Sequence, residues 1–219
     1  MRASVTLTAD GITKRYSGAP LFSAVSFEAS SSEIVAITGS NGTGKSTLLK
    51  ILAKVLSPTK GTVSFQQAGA ALSEDVYQSH IGFAAPYLEL YSELTAIEHI
   101  QFVGELKGKA LGQQECITQL TSLGLDEKIA ASDRHVKQYS SGMQQRVKLA
   151  MAFALSPDFI FLDEPGSNLD ADGITLLFDT IKKKASEGAI VLIATNDAAE
   201  VNLASREVRL EKLSAQHKK

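Results

Sequence analysis

Nine consecutive residues, Gly39-Ser40-Asn41-Gly42-Thr43-Gly44-Lys45-Ser46-Thr47, satisfy the pattern G-x-x-x-x-G-K-[ST] at every fixed position. Residues of these types at this spacing bind phosphate. Glycines 39, 42 and 44 let the backbone curl so that successive N–H groups converge on one anion, and the positive end of a following helix reinforces the site. Lys45 reaches the terminal phosphates, and the Ser46 hydroxyl is a hard oxygen ligand suited to Mg²⁺. A second pair, Asp163-Glu164, ends the apolar run Phe159-Ile160-Phe161-Leu162, where unpaired charge is costly to bury. Asp163 is suited to hold Mg²⁺ through its water shell, and Glu164 to orient or deprotonate a water aimed at a γ-phosphate. The chemistry these two stretches imply is the binding of a phosphate chain with Mg²⁺ and the attack of water on its γ-phosphate.

Such chemistry needs a frame. Ile34-Val35-Ala36-Ile37 reads as a buried strand entering the phosphate loop, and residues 47–52 read as the helix leaving it. Residues 4–8 and 24–29 alternate apolar and polar, which predicts an antiparallel sheet beside the loop. Between them Tyr16 reads equally as a platform for adenine and as an ordinary strand-end aromatic. Short strands follow at 62–65 and 81–84, separated by the weakly patterned residues 66–79. The segment after 84 carries Tyr87, Leu88 and Leu90, too apolar for a purely solvated loop, and suggests contact with a partner or with the next helix.

Thr95-Ala96-Ile97-Glu98 is a capping box, and Ile97, Ile100, Val103 and Leu106 then share one helical face. A second helix runs from Gly112 to Leu123, with Gly124 as its stop. With no strand between them, these helices interrupt the strand-helix alternation and predict a helical insertion at about 95–140. Past residue 140 the alternation resumes: helix 144–155, strand 159–162, helix 171–187, strand 189–194, and a last helix opening at Asp197. The fold class is therefore α/β, with a mostly parallel sheet, an antiparallel β subdomain and an inserted α-helical subdomain. Ligands of parallel sheets sit at the carboxyl ends of the strands, which puts Asp163-Glu164 and Thr195-Asn196-Asp197 on one rim with the phosphate loop.

Composition narrows the class. A chain of 219 residues suits one domain burying about 70–75% of its unfolded surface. A net charge of −2 offers no basic field for nucleic acid. No run approaches the ~18 apolar residues of a membrane span and the start lacks an apolar signal core, so the chain is expected to be soluble and cytoplasmic. The single cysteine, Cys116, reads as a packed thiol, and the tail His217-Lys218-Lys219 as a solubilising end.

Tyr139-Ser140-Ser141-Gly142-Met143-Gln144-Gln145-Arg146 resembles the L-S-G-G-Q signature of ATP-binding cassette (ABC) ATPases. Phosphate loop, signature, apolar-Asp-Glu-Pro at Leu162–Pro165 and the turn Ser167-Asn168-Leu169-Asp170 follow that family's order and approximate spacing over nearly the whole chain. The resemblance implies a P-loop NTPase core and cassettes that pair head to tail, as a homodimer or a heterodimer, with each ATP between one chain's phosphate loop and the other's signature. Ser140, Ser141, Gly142 and Met143 would then form the second anion site, and the turn 167–170 would couple the two sites. It also implies an adenine-stacking aromatic near Tyr16, transmembrane permease subunits as partners, and a peripheral place at the inner face of the membrane.

Two positions depart from the family. Its metal-facing glutamine aligns with Pro86, which can supply only a carbonyl. Its histidine after the last core strand is Asn196, and no histidine lies between Asp163 and His217. Asn196 donates a neutral hydrogen bond but carries no proton or charge, so intact ATP binding with slow hydrolysis is expected. The resemblance implies the energy-coupling ATPase of a transporter. The alternative is an ATP-gated, slowly hydrolysing interaction or regulatory protein of the same fold, which the two departures favour.

Overall fold

Every residue of Ile34–Thr38, Phe159–Asp163 and Ile190–Ala194 is buried, as strands covered on both faces by other layers must be. The structure, a computed structural model, describes residues 2–16 and 20–211; the His217-Lys218-Lys219 tail lies outside them. In chain order the strands are β1 (Val5–Thr13), β2 (Val25–Ser30), β3 (Ile34–Thr38), β4 (Lys60–Gln67), β5 (Ala70–Ala71), β6 (Ile81–Ala84), β7 (Phe159–Asp163), β8 (Ile190–Ala194) and β9 (Arg206–Arg209). The helices are α1 (Lys45–Leu52), α2 (Glu74–Ser79), α3 (Ala96–Leu106), α4 (Gln113–Thr121), α5 (Glu127–Ala130), α6 (Ser141–Phe153), α7 (Ala171–Ser186) and α8 (Ala198–Leu203). One sheet is parallel, in the order β6-β7-β8-β3-β9, and the other antiparallel, in the order β2-β1-β4-β5.

Alternate side chains of the central strands enter different cores. Ile160, Leu162, Val191 and Ile193 pack with Ile100, Leu120, Val147 and Leu177 of the helices. Phe159, Phe161, Ile190 and Leu192 pack with Leu48 of α1 and with Leu7 and Phe65 of the antiparallel sheet. The strand period of two thus makes the parallel sheet the middle of three layers. Its register sets Asp163 opposite Ala194 and Ala194 opposite Ile37, so three strands end at one level. α6 lies so close to β6 that a Cβ on Gly82 would stand 1.9 Å from the Ala152 carbonyl oxygen.

The capping box at Thr95 forms in full: Glu98 Oε2 accepts from the Thr95 amide at 2.7 Å and Thr95 Oγ1 from the Glu98 amide at 3.2 Å. Cys116 is buried. Two segments and one side chain differ from the sequence expectation. Residues 66–79, weakly patterned, hold β5 and α2, short elements built around the buried Tyr77. Residues 206–209 add an edge strand, whose two arginines and glutamate an edge tolerates because one flank is solvated. Leu106, at the end of α3, leaves its apolar face and is 71% exposed, since the buried positions of the helix stop at Gly104.

Candidate active site

The phosphate loop leaves β3 through Gly39, at φ 143°, passes Gly42 at 82°, and enters α1 through Gly44 at 98°, all in the region open to glycine. Space also demands glycine at both ends. A Cβ at 39 would lie 2.5 Å from the Leu210 carbonyl oxygen, and one at 44 within 2.9 Å of the Leu21 and Phe22 side chains. Thr43 closes the loop on itself, its amide and hydroxyl donating to the Ser40 carbonyl at 3.2 and 2.8 Å. Lys45 is buried, and its Nζ donates to the Gly39 carbonyl at 2.9 Å, so the cation lies across the loop that would hold the phosphates. Ser46 and Thr47 follow in the first turn of α1.

Asp163, at the carboxyl end of β7, faces this helix and is only 2% exposed. Burial raises its carboxyl above the usual range, while hydrogen bonds from the Ser46 and Tyr87 hydroxyls and the charge of Lys50 act the other way. A buried acid meeting a serine hydroxyl beside a phosphate loop fits Mg²⁺, which takes few protein oxygens and completes its shell with phosphate and water. Among the described residues no cluster of three or more histidine, cysteine or acidic side chains offers an all-protein metal cage. Tyr87 was expected to meet a partner or the next helix. Its ring lies beneath Lys50 Nζ at 3.9 Å, and burial, together with the charge of Asp163, raises the phenol above its ordinary range. Sequence reasoning missed Tyr87 and Lys50 as residues of this site. The signal available for Lys50 was its position one turn after Ser46.

Glu164 is exposed on the rim beside Asp163, with a left-handed φ of 44°, a conformation that a non-glycine residue adopts at a cost of order 1–3 kcal/mol. Its amide is held by the Ala194 carbonyl at 2.8 Å, so β8 fixes the strain in place. Asn196 leaves the end of β8, and its Nδ2 donates to Asn41 Oδ1 at 2.7 Å, joining the phosphate loop directly. Glu164 and Asn196 also line one cavity of about 290 Å³ with Ser167 and Glu200. Tyr16 is 54% exposed, with Lys14 Nζ 5.3 Å from its ring centroid. Its segment returns through an Arg15–Pro20 bridge to Leu21 and Phe22, which touch Gly44.

The stretch Ser140 to Met143 opens α6. Ser140 is the N-cap, its Oγ accepting from the Met143 amide at 3.2 Å, and both Ser140 and Ser141 are exposed. This end of α6 is tied to the turn 165–170. Gln145 Nε2 donates to the Pro165 carbonyl at 2.9 Å, Arg146 pairs with Asp170 at 2.7 Å, and a Cβ on Gly142 would lie 2.8 Å from the Asn168 carbonyl oxygen. Arg146 Nε also donates to the Leu123 carbonyl at 3.0 Å, anchoring α6 to the segment after α4. Phosphate loop, acidic strand end and signature thus share one chain with a common brace.

The family model described as ABC transporter matches residues 22–167, from just before β2 to the turn after Glu164. The chain belongs to the ABC transporter family. It is 36% identical over 203 residues to the arabinose import ATP-binding protein AraG of Pectobacterium atrosepticum, an alignment covering 89% of this chain and 39% of that protein. It is 32% identical to the cytochrome c biogenesis ATP-binding export protein CcmA of Vibrio parahaemolyticus, over 80% of this chain and 84% of that one. The chain therefore spans well under two thirds of AraG but most of CcmA. Among solved structures, the dimeric ATP-binding cassette MJ0796 in a post-hydrolysis state with ADP and Pi superimposes with a TM-score of 0.81 at 27% identity, covering 95% of this chain and 99% of that one. The ABC membership accounts for the two-sheet, helix-inserted architecture and makes the chain an ATP-binding cassette of the ATPase class. No helix of the described residues is long and apolar enough to cross a membrane.

Proposed function

We propose that this cassette is the ATP-hydrolysing subunit of an ABC transporter, closing on ATP against a second cassette and docking on separate membrane subunits. The observation that carries the reading is the placement of the signature. Ser140 and Ser141 are exposed at the start of α6 and make no described bond to this chain's own phosphate loop, yet they offer helix N–H groups and hydroxyls suited to phosphate. A second anion site facing outward is useful to another chain's ATP.

In that reading residues 1–219 form one cassette, with the helices of about 95–140 as a subdomain within it. Tyr16 stacks on adenine, and the amides of residues 39–47 with Lys45 hold the phosphates. Ser46 and Asp163 hold Mg²⁺, which when bound neutralises charge developing on the transferred phosphoryl oxygens. Glu164, aimed by its strained backbone, orients the attacking water and accepts its proton. Asn196 donates to the γ-phosphate. Ser140, Ser141, Gly142 and Met143 receive the partner's ATP, and the brace from Gln145 and Arg146 to residues 165–170 links that site to Glu164. The exposed Leu88, Tyr91 and Leu106 supply apolar surface for a membrane subunit at the inner face.

Sedimentation tests this. With Mg²⁺ and ATP, Glu164→Gln is expected to shift from monomer to dimer, and Ser140→Arg to prevent the shift. Nucleotide binding with no change of mass at any protein concentration would refute closure on a second cassette, whereas closure with no recovery of the chain with membranes would support the ATP-gated interaction or regulatory protein.

A further inference from the structure

Glu200, in the first turn of α8, is only 4% exposed and joins the segment after β8 to the turn after β7. Its Oε1 accepts from the Gly166 amide at 2.8 Å, two residues beyond Glu164. Glycine leaves the space for this bond, since a Cβ at 166 would stand 2.6 Å from that same oxygen. The helix carrying Glu200 is itself seated on the rim: Asp197 Oδ1 accepts from the Ala199 and Glu200 amides at 2.7 and 3.2 Å. The second carboxylate oxygen, Oε2, has no hydrogen-bond partner among the described residues, and neither has the Ser167 hydroxyl in the same cavity. Burial raises the Glu200 carboxyl above its usual range, against the pull of the Gly166 amide. A buried acid with one oxygen left without a partner costs stability, so its use lies in what it holds.

We propose that Glu200 is a positioning residue for hydrolysis, its bond to the Gly166 amide fixing the backbone turn that aims Glu164. The inference rests on the reading of Glu164 as the group that orients the attacking water. Glu164 has a left-handed φ of 44°, a conformation that the bonds around it must maintain. β8 holds the near side of the turn, where the Ala194 carbonyl accepts from the Glu164 amide at 2.8 Å. α8 holds the far side through Glu200, and the Ser167 amide closes the turn on the Glu164 carbonyl at 3.1 Å. Without the far anchor the turn pivots about the near one, and the Glu164 side chain leaves its aim. A displacement of about 1 Å at a reacting group costs about a hundredfold in rate.

The test measures Mg-ATP hydrolysis and binding of a fluorescent ATP analogue by the full chain, native and as Glu200→Ala, Glu200→Gln and Gly166→Ala, beside Glu164→Gln. Rates are taken per nucleotide-binding site, at protein concentrations where they no longer rise, so that neither unfolded chain nor weak pairing enters. Glu200→Ala is expected to lower kcat by about 10- to 100-fold while KM and nucleotide affinity stay within about twofold. Glutamine keeps an oxygen for the Gly166 amide, so Glu200→Gln should return kcat to within about threefold of native. Gly166→Ala, whose methyl displaces the carboxylate, should also lower kcat, with little further loss when combined with Glu200→Ala. Native kcat in Glu200→Ala overturns the proposal, as does a loss shared equally by kcat and affinity, or no recovery in Glu200→Gln. If Glu200→Ala yields no folded chain, Gly166→Ala decides alone, and native turnover from it overturns the proposal. If Glu164→Gln turns over like the native chain, the reading of Glu164 falls and the role of Glu200 falls with it; an inactive Glu164→Gln beside an unaffected Glu200→Ala removes only Glu200.

Discussion

Asn196→His is expected to raise the steady-state turnover of Mg-ATP at saturating nucleotide. One well-placed donor to a developing charge contributes about 2.7–4 kcal/mol, a factor of roughly a hundred to a thousand. Asn196 retains part of that as a neutral amide, so the gain from a histidine able to carry charge is expected to be between about ten- and a hundredfold. A competing explanation for slow turnover is visible in the structure. The Asn196 amide is spent on Asn41 Oδ1 at 2.7 Å and must let go to meet a phosphate. Both side chains are exposed, and such a bond contributes only about 0.5–1.5 kcal/mol net. Releasing it therefore accounts for at most about tenfold, by the rule that about 1.4 kcal/mol is a factor of ten. Asn41→Ala is expected to raise turnover a few-fold at most, well short of Asn196→His, with the double variant near Asn196→His alone because that change already removes the bond. Phosphate release across a range of protein concentrations measures all of these chains, with Asn196→Ala beside them. The reasoning is refuted if Asn41→Ala matches Asn196→His, or if Asn196→Ala and Asn196→His both turn over like the native chain.

Three further outcomes follow from the packing. Arg146→Met, which strips the Leu123 carbonyl and Asp170 of a largely buried guanidinium, should lower stability by about 1.5–3 kcal/mol in urea unfolding and slow turnover while leaving nucleotide affinity in place. Gly82→Ala forces a Cβ against the Ala152 carbonyl oxygen, backbone against backbone, and should cost at least about 1–3 kcal/mol; a wild-type melting curve would show that α6 does not sit where it is placed here. Lys107 donates to the Ile81 carbonyl, and burial lowers its ammonium to about 8. A cation depressed in the fold binds fewer protons than in the unfolded chain between that value and the ordinary lysine range near 10.5. Stability should therefore rise as pH increases through this window and fall as pH drops toward 8, and Lys107→Met should flatten the slope in melting temperatures measured from pH 7.5 to 10.

Much of the cassette was legible before any coordinates because its parts are local. A phosphate loop is a backbone curl of glycines, a buried strand is a run such as Ile190–Ala194, and a capping box needs only Thr95 and Glu98 three residues apart. The resemblance of residues 139–146 and 162–170 to ABC motifs located the family, and the expected parallel core, antiparallel sheet and helical insertion all belong to the fold. Only the tertiary structure decided what those parts touch. Strand β9 is too charged to announce itself and exists because the flank of β3 accepts it. Tyr87 looked like an apolar loop residue, and its ring lies beneath Lys50, far from it in sequence, because the stacked layers bring α1 beside the loop after β6. Asn196 was legible as a missing histidine, but its bond to Asn41 was not, because two polar side chains 155 residues apart meet only when β3 and β8 lie side by side. Local pattern fixes which backbone forms and which residue types are available; which distant side chains face each other depends on how the layers stack.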